Sequence, residues 1–220
     1  MKINSYIDHT LLKPGATERE IIELCKEAKD HNFYSVCVNS GYIALCKQLL
    51  SKSSVKICST VGFPLGAMST EAKVFEAQKA IADGANEIDM VINVGLLKSK
   101  NYVAVFKDIS DVKSAIGKAP LKIILEISEL SKNEIIKACE ICLDANVNYI
   151  KTSSGFSKSG ATLTAVKIIR KTVKSNAKIK ASGGIQDYET AVKYIDAGAD
   201  RIGTSSGLAI LSGELSTTDY

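Results

Sequence analysis

The chain of 220 residues has few of the features that mark metal proteins, membrane proteins or multidomain proteins. It contains only two histidines, His9 and His31, and neither has a partner at ligand spacing, so the sequence carries no metal signature. No apolar run reaches the roughly 18 residues of a membrane-spanning helix, and the first residues do not resemble a secretory signal. With three prolines and no Pro/Gly-rich linker, we expect one domain over residues 1–220.

Charge and cysteine usage narrow the class further. The net charge of +4 is small and dispersed, so no block of basic residues suggests a nucleic-acid surface, although an anionic small molecule would suit it. The six cysteines lie mostly inside apolar patterns and are expected to be free thiols, which favours a cytoplasmic protein. Cys139 and Cys142 form a C-x-x-C pair without a second pair, so we interpret them as residues on a helix face rather than as zinc or redox groups.

Short β-branched runs alternate with longer amphipathic stretches along the whole chain. The β-branched runs predict strands at residues 5–11, 33–38, 55–61, 87–93, 121–127, 148–153, 178–182 and 200–204. Thr17 followed by Glu20 is typical of a capping box that opens a helix. Further helices are predicted to begin near Ser40, Thr70, Asn101, Ser131, Thr162 and Asp187. Strands alternating with helices indicate a parallel sheet, and eight such units predict an α/β fold, a closed (β/α)₈ TIM barrel.

An internal repeat supports closure of the barrel. Segments 30–37, 82–89, 144–151 and 196–203 each resemble a helix end, a turn and a strand. They fall at the second, fourth, sixth and eighth predicted strands, and they end at Cys37, Asp89, Lys151 and Gly203. Because alternate strands fill one interior layer of such a barrel, we expect Asp89 and Lys151 to face each other across its mouth, with Cys37 alongside.

Two lysines stand at the ends of apolar runs and lead into glycine and hydroxyl residues. Lys151 and Lys180 would be costly to place at the edge of an apolar core unless the amines are used. An amine that attacks a carbonyl must be uncharged near neutral pH, and a neighbouring ammonium disfavours its protonated form. We therefore interpret Lys151 as a candidate nucleophile with Lys180 beside it. The alternative is that Lys151 only extends toward solvent at a strand end.

Two acidic residues could serve this chemistry. Asp89 shares a strand face with Glu87 and Val91, and its carboxylate could shuttle protons during imine formation and carbon–carbon cleavage. It could equally be an ion-pair partner that only neutralises Lys151. Asp8 could orient a lysine or a water molecule, or it could cap a strand end.

Glycine-rich segments follow the last two predicted strands. Gly183 and Gly184 follow the seventh, and the segment from Gly203 to Gly207 ends the eighth and opens a last helix. Loops at these positions form the common phosphate site of this fold, where backbone N–H groups supply the positive field. Gly155 could add another N–H, and the alternative is that these are tight turns alone. The loop at 60–66 could narrow the barrel mouth or contact substrate.

Over essentially its whole length the chain resembles the deoxyribose-phosphate aldolase family of class I, Schiff-base aldolases. The matching segments are 7–14, 36–39, 61–66, 87–93, 151–156 and 180–185. The family has a (β/α)₈ barrel, in agreement with the predicted strands. The resemblance implies reversible cleavage of 2-deoxy-D-ribose 5-phosphate to D-glyceraldehyde 3-phosphate and acetaldehyde, as a carbon–carbon lyase of deoxyribose phosphate catabolism.

The resemblance also implies a role for each matching residue. Lys151 matches the Schiff-base lysine, while Asp89 and Lys180 match a proton-transfer pair in which Lys180 also favours uncharged Lys151. Asp8 matches a carboxylate beside the reactive lysine, and Cys37 matches a cysteine that substrate-derived aldehydes can trap. The matches to phosphate-binding positions are Gly155, Gly183, Gly184, Gly203, Ser205 and Ser206.

The implied chemistry needs no metal and no organic cofactor beyond the covalent Schiff base on Lys151. Family members are dimers or tetramers, so a homo-oligomer is expected. Ser154 replaces the usual threonine and keeps its hydroxyl, whereas Gln186 replaces a common arginine, so phosphate binding would depend more on backbone donors. Tyr220 could be the terminal tyrosine that some members use as a proton relay. Another Schiff-base aldolase, or a non-catalytic sugar-phosphate-binding barrel, remains an alternative at this stage.

Overall fold

Eight parallel strands form a closed barrel in a computed structural model that describes residues 2–214, so Tyr220 lies outside the described residues. Each strand pairs with the next along the chain, and the last pairs with the first. The strands are β1 (Ile7–Leu11), β2 (Ser35–Val38), β3 (Lys56–Val61), β4 (Glu87–Val91), β5 (Leu121–Ile124), β6 (Tyr149–Lys151), β7 (Lys178–Ser182) and β8 (Arg201–Thr204). The predicted (β/α)₈ barrel is therefore confirmed.

Helices connect the strands and cover the outside of the barrel. They are α1 (Glu18–Asp30), α2 (Ile43–Leu49), α3 (Thr70–Asp83), α4 (Val94–Lys98), α5 (Tyr102–Ala115), α6 (Lys132–Asp144), α7 (Leu163–Val173), α8 (Tyr188–Asp196) and α9 (Gly207–Ser212). Within residues 2–214, none of them has the length and apolar character needed to cross a bilayer.

Most helices begin where the sequence places a capping side chain. Thr17 forms the predicted capping box with Glu20, since each side chain accepts the other residue's backbone N–H. Such a box satisfies two N–H groups that have no partner inside the helix. Single side-chain caps open α5, α7 and α8, from Asn101, Thr162 and Asp187.

Several strands end earlier than the apolar pattern predicts. β4 ends at Val91 and β5 ends at Ile124, although the predicted strands run to 93 and 127. The chain stays buried after it leaves the ladder, because Ile92 and Leu125 are fully buried in the loops that follow. Burial without strand pairing produces the same apolar pattern as a strand, so the pattern overstates strand length at this end of the barrel.

The two faces of the strands differ sharply in polarity. Residues facing the helices are apolar and fully buried, among them Ile88, Ile123, Ile150, Ile179 and Ile202. Burial of each such side chain contributes roughly 1.5–3 kcal/mol. The alternate residues point into the barrel, and on β4 to β8 many of them are charged. The fold is thus held by an apolar layer outside the sheet, while the interior is available for chemistry.

Candidate active site

Lys151 and Lys180 lie side by side because β6 and β7 pair in register at these two residues. Asp89 on β4 reaches both amines with a single oxygen. Its Oδ2 lies 2.9 Å from Lys151 Nζ and 2.8 Å from Lys180 Nζ. The two nitrogens are therefore no farther apart than the sum of these distances. The barrel brings together the lysine pair and the carboxylate that the sequence singles out.

A third lysine, Lys122, contacts the other oxygen of Asp89. Its Nζ lies 2.9 Å from Asp89 Oδ1 and 2.7 Å from Glu87 Oε2, since β4 and β5 pair with Lys122 opposite Asp89. The sequence-based list of site residues missed it. The signal was present, because Lys122 is the single charge inside the apolar run 121–125, the same pattern that indicated Lys151.

Asp8 orients a lysine, and that lysine is Lys180 rather than Lys151. Asp8 Oδ2 lies 2.7 Å from Lys180 Nζ. Its Oδ1 accepts hydrogen bonds from Ser35 Oγ at 2.6 Å and from Arg201 Nε at 3.0 Å. The resemblance places this carboxylate beside the reactive lysine, whereas the structure pairs it with the neighbour of that lysine on β7. Arg201, also missed from sequence, extends the network to Glu87 at 3.0 Å.

These groups form one buried charge network of four cations and three carboxylates. Its members are Lys122, Lys151, Lys180, Arg201, Asp8, Glu87 and Asp89. With every group ionised, the network carries one positive charge in excess. Among the three lysines, Lys151 is 2% exposed and the other two are 0% exposed.

The network fixes the protonation of its central carboxylate and of two lysines. Burial raises the pKa of Asp89, but the ammonium groups of Lys122, Lys151 and Lys180 outweigh burial and hold that pKa well below its usual range. Burial lowers the pKa of Lys122 and Lys180, yet facing carboxylates raise both well above the usual value. These shifts favour the anionic form of Asp89 and the cationic form of Lys180 beside Lys151.

Two thiols complete the inner surface next to Asp89. Cys37 donates to Oδ2 at 3.8 Å and Cys58 donates to Oδ1 at 3.0 Å. A hydrogen bond from Cys58 lowers the pKa of Cys37 to about 7, although burial opposes this shift. The three groups are close enough to bind a metal ion, but Lys122 Nζ already lies 3.3 Å from Cys58 Sγ and 2.9 Å from Asp89 Oδ1. The Lys122 ammonium therefore already contacts two of these three groups.

Glycine loops after β6 and β7 meet above this network. Gly155, Gly183 and Gly184 have φ values of +89°, +90° and +74°, which favour glycine. A Cβ on Gly183 would lie 3.6 Å from Gly155 Cα. Gly160, which the sequence analysis did not single out, packs closer still, because a Cβ there would lie 2.1 Å from Gly183 O. The two loops therefore form a continuous wall of backbone at the carboxyl end of the barrel.

The residues around the end of β8 divide into two groups. Gly203 lies within β8, and a Cβ there would meet Lys180 Cε at 2.8 Å, so its bare Cα makes room for that lysine. Ser205 and Ser206 lie in the turn between β8 and α9. Ser206 Oγ and Ser153 Oγ are buried without a hydrogen-bond partner in the described residues. Buried hydroxyls of this kind can bind a polar ligand. Gln186 is half-buried just after the Gly183–Gly184 turn.

Loop 60–66 packs against the inner thiols and against the loop after β6. Phe63 packs on Leu12, Cys37 and Cys58, and its ring meets the Phe156 ring edge-on with centroids 5.3 Å apart. The peptide bond between Phe63 and Pro64 is cis. The aromatic pair links the loop after β3 to the loop after β6, so it forms an apolar side of the entrance to Lys151.

An open cavity of about 790 Å³ lies at the other end of the barrel. Tyr34, Tyr149 and Lys178 line it, all at the amino ends of their strands. Of the charge network only Glu87 reaches it. Catalytic sites of this fold lie at the carboxyl ends of the strands, so we assign the candidate site to the end that holds Lys151 despite the size of the other cavity.

Comparison with known proteins agrees with this geometry. The family model described as DeoC/LacD family aldolase matches residues 3–213. The chain is 53% identical over 220 residues to deoxyribose-phosphate aldolase 1 of Mesoplasma florum, covering 100% of both chains. It is 52% identical to deoxyribose-phosphate aldolase of Brevibacillus brevis, covering 99% of this chain and 98% of that one.

A solved structure shows the same likeness in three dimensions. The tetrameric deoxyribose phosphate aldolase of Aeropyrum pernix superposes with a TM-score of 0.88 at 34% identity, covering 96% of this chain and 89% of that one. The resemblance indicated by the sequence motifs is thereby confirmed at the level of the family. From residue 3 to residue 213, this chain is a member of the DeoC/LacD family of aldolases.

Proposed function

We propose that this protein is a class I aldolase that reversibly cleaves 2-deoxy-D-ribose 5-phosphate to D-glyceraldehyde 3-phosphate and acetaldehyde. One observation carries the proposal. Lys151 shares the Asp89 Oδ2 atom with a second, fully buried lysine, Lys180. Relatives at 53% and 52% identity that bear the name deoxyribose-phosphate aldolase support this choice of substrate.

The ion pairs of the network favour Lys151 as the nucleophile. Lys122 and Lys180 hold their protons because carboxylates surround them. Lys151 has Asp89 as its ion-pair partner, and it shares that partner with both other lysines. An uncharged amine at this position can attack a carbonyl.

The reaction then follows from the positions of the groups. The Lys151 amine adds to the C1 aldehyde of the open-chain sugar, and loss of water gives a protonated imine that acts as an electron sink. Asp89, acting through a water molecule, removes the proton of the C3 hydroxyl, and the C2–C3 bond breaks to release D-glyceraldehyde 3-phosphate. The remaining enamine takes a proton at carbon, and hydrolysis of the imine releases acetaldehyde and restores the amine.

The phosphate end of the substrate fits the glycine wall. Gly155, Gly183 and Gly184 can present backbone N–H groups, and the orphan hydroxyl of Ser206 can donate to a phosphate oxygen. Gly203 contributes to this end by leaving room for Lys180. Binding energy from the phosphate would be used to hold the reacting carbons against Lys151.

Borohydride trapping tests the covalent step directly. Protein treated with acetaldehyde and sodium borohydride should carry a reduced ethyl adduct on Lys151, located by peptide mass spectrometry. Lys151→Leu should form no adduct and should lose turnover while remaining folded. Lys158→Leu is the matched control, since this exposed lysine on the following loop pairs only with Glu129 in the described ion pairs. An adduct-free wild-type protein, or a Lys151→Leu variant with normal turnover, would contradict the proposal.

We further infer that the chain forms a homo-oligomer, a dimer or a tetramer, in the cytoplasm. Large apolar side chains stand exposed on α3 and α5, with Phe75 71%, Val103 82% and Phe106 41% exposed. A tetrameric relative of 34% identity supports assembly, and six free thiols agree with a reducing compartment. Sedimentation of the protein across a concentration series measures the state, and a monomer at all concentrations would contradict the inference.

A further inference from the structure

Glu126 has a conformation that its residue type disfavours. It follows β5 with φ of 58° and ψ of 63°, in the left-handed region that suits glycine. The side chain is also buried, at 5% exposed, in a protein where carboxylates of the charge network have cation partners. Strained backbone and a buried acid at the same residue point to a task for that residue.

Glu126, with its left-handed backbone, is the extra residue of a bulge between β5 and β6. Leu125 N–H donates to Lys151 O at 3.0 Å, and Ile127 N–H donates to Thr152 O at 3.1 Å. The two N–H donors are two residues apart in the sequence, whereas the two carbonyls that accept from them belong to adjacent residues. Glu126 therefore has no residue opposite it in the facing segment. Bulges near the ends of barrel strands re-aim a side chain. Here the bulge lies directly opposite the residues that follow the candidate nucleophile.

The re-aimed carboxylate holds the turn that follows Lys151. Glu126 Oε2 accepts a hydrogen bond from the Ser154 hydroxyl, and Oε1 accepts from Ser154 N–H at 3.4 Å. Ser154 Oγ in turn accepts the N–H of Phe156 at 3.0 Å. This chain of bonds encloses Gly155, the residue whose Cα lies against Gly183 in the glycine wall.

We propose that Glu126 is a positioning residue that sets the Gly155 side of the phosphate-binding wall by anchoring the turn at residues 154–156, without touching substrate itself. The inference rests on the proposed function for the identity of the ligand, a sugar phosphate. Burial raises the pKa of Glu126, although hydrogen bonds from Ser154 oppose the rise, which agrees with a carboxylate enclosed by the turn rather than open to solvent.

The discriminating variant is Glu126→Gly. Glycine accepts the left-handed backbone, so the bulge is kept while the carboxylate is removed. Ser154→Ala removes the other half of the bond, and Ser154→Thr keeps its hydroxyl. Glu129→Ala is the matched control, because Glu129 lies in the same turn and bonds Ser157 and Lys158 instead. Thermal unfolding of each variant checks that it folds.

Two binding measurements separate this role from catalysis. Calorimetric titration with glycerol 3-phosphate, which carries the phosphate end but no carbonyl, should give a Kd roughly tenfold higher for Glu126→Gly and Ser154→Ala, the loss expected for a hydrogen bond to a charged group. Ser154→Thr should lose less than Ser154→Ala, and Glu129→Ala should match the wild type. Borohydride trapping of acetaldehyde on Lys151 should stay within about twofold of the wild type in Glu126→Gly, since the ion pair of the amine with Asp89 is unchanged.

Turnover gives the complementary readout. For Glu126→Gly, KM for 2-deoxy-D-ribose 5-phosphate should rise about tenfold with kcat nearly unchanged, and activity on unphosphorylated 2-deoxyribose should not fall. An unchanged Kd for glycerol 3-phosphate, or equal losses on both sugars, would overturn the role of Glu126. Failure of the proposed function would look different, because wild-type protein would then lack both turnover and the trapped adduct, while the titration would still report on Glu126.

Discussion

Replacement of Lys122 by methionine tests whether the ion pairs of the buried charge network stabilise the fold. The side chain is fully buried, with Nζ 2.9 Å from Asp89 Oδ1 and 2.7 Å from Glu87 Oε2. At an effective dielectric near 20, each contact corresponds to about 5–6 kcal/mol of Coulomb attraction before desolvation is subtracted. Removing one partner of a buried pair costs about 3–5 kcal/mol, a large part of a typical 5–15 kcal/mol stability.

Urea unfolding followed by circular dichroism measures this loss. Lys122→Met should lower the free energy of unfolding by about 3–5 kcal/mol. Adding Glu87→Gln should restore part of the loss, because it removes a carboxylate that has lost one of its two cation partners, and the double-mutant cycle should give a coupling of roughly 1–3 kcal/mol. Lys107→Met is the control, since its pair with Asp111 is exposed and contributes little to stability. Equal stability of Lys122→Met and Lys107→Met would refute the reasoning.

The same variant has a consequence for pH dependence. Burial raises the pKa of Asp89, and Lys122 is the strongest of the cations that hold it down. Without Lys122 the pKa of Asp89 should rise, so the acid side of the activity profile should move to higher pH. A profile of kcat/KM against pH that coincides with the wild-type profile would show that Lys122 does not control Asp89.

Three further predictions concern the groups around Asp89. A hydrogen bond from Cys58 lowers the pKa of Cys37 to about 7. The rate of alkylation of Cys37 by iodoacetamide, measured by peptide mass spectrometry, should therefore rise with a midpoint near pH 7, and a midpoint near pH 9 would count against this. Gly203→Ala should displace Lys180, because the new Cβ would lie 2.8 Å from its Cε, and should reduce turnover more than imine trapping; unchanged kinetics would contradict this. Because the pKa of Asp89 is lowered in the folded protein, its ionised carboxylate stabilises the fold at pH values above its ordinary pKa of about 4, and this stabilisation is lost as the pH falls. The free energy of unfolding should therefore decrease in acid, and a constant value from pH 7 to pH 3 would disagree.

Local patterns were enough to predict the architecture and the central pair. Alternation of strands and helices and the capping side chains are properties of neighbouring residues, so they are readable before folding. The register of Asp89 and Lys151 followed from the repeat, because alternate strands of a closed barrel share a layer. Both residues lie in hydrogen-bond contact in the structure.

The partners of that pair could not be ranked from local patterns. Arg201 becomes a site residue only when the sheet closes, since its contacts with Asp8 and Glu87 join strands that are far apart in sequence. Asp8 pairs with Lys180 because β1 closes on β8, the strand beside β7. Glu126 depends on a bulge, and a bulge leaves no periodic trace when an acid rather than a glycine adopts the left-handed turn.

The order of the buried charges along the chain has a consequence for assembly of the barrel. All three carboxylates come from the first four strands, at Asp8, Glu87 and Asp89, and all four basic groups come from the last four strands. A fragment containing strands one to four would therefore present an acidic concave face, and the remaining fragment a basic one. Neither half could pair with a copy of itself without mutual repulsion, whereas each is electrostatically matched to the other. The signs of the buried charges therefore favour closure of each half-barrel on the other half over closure on a copy of itself.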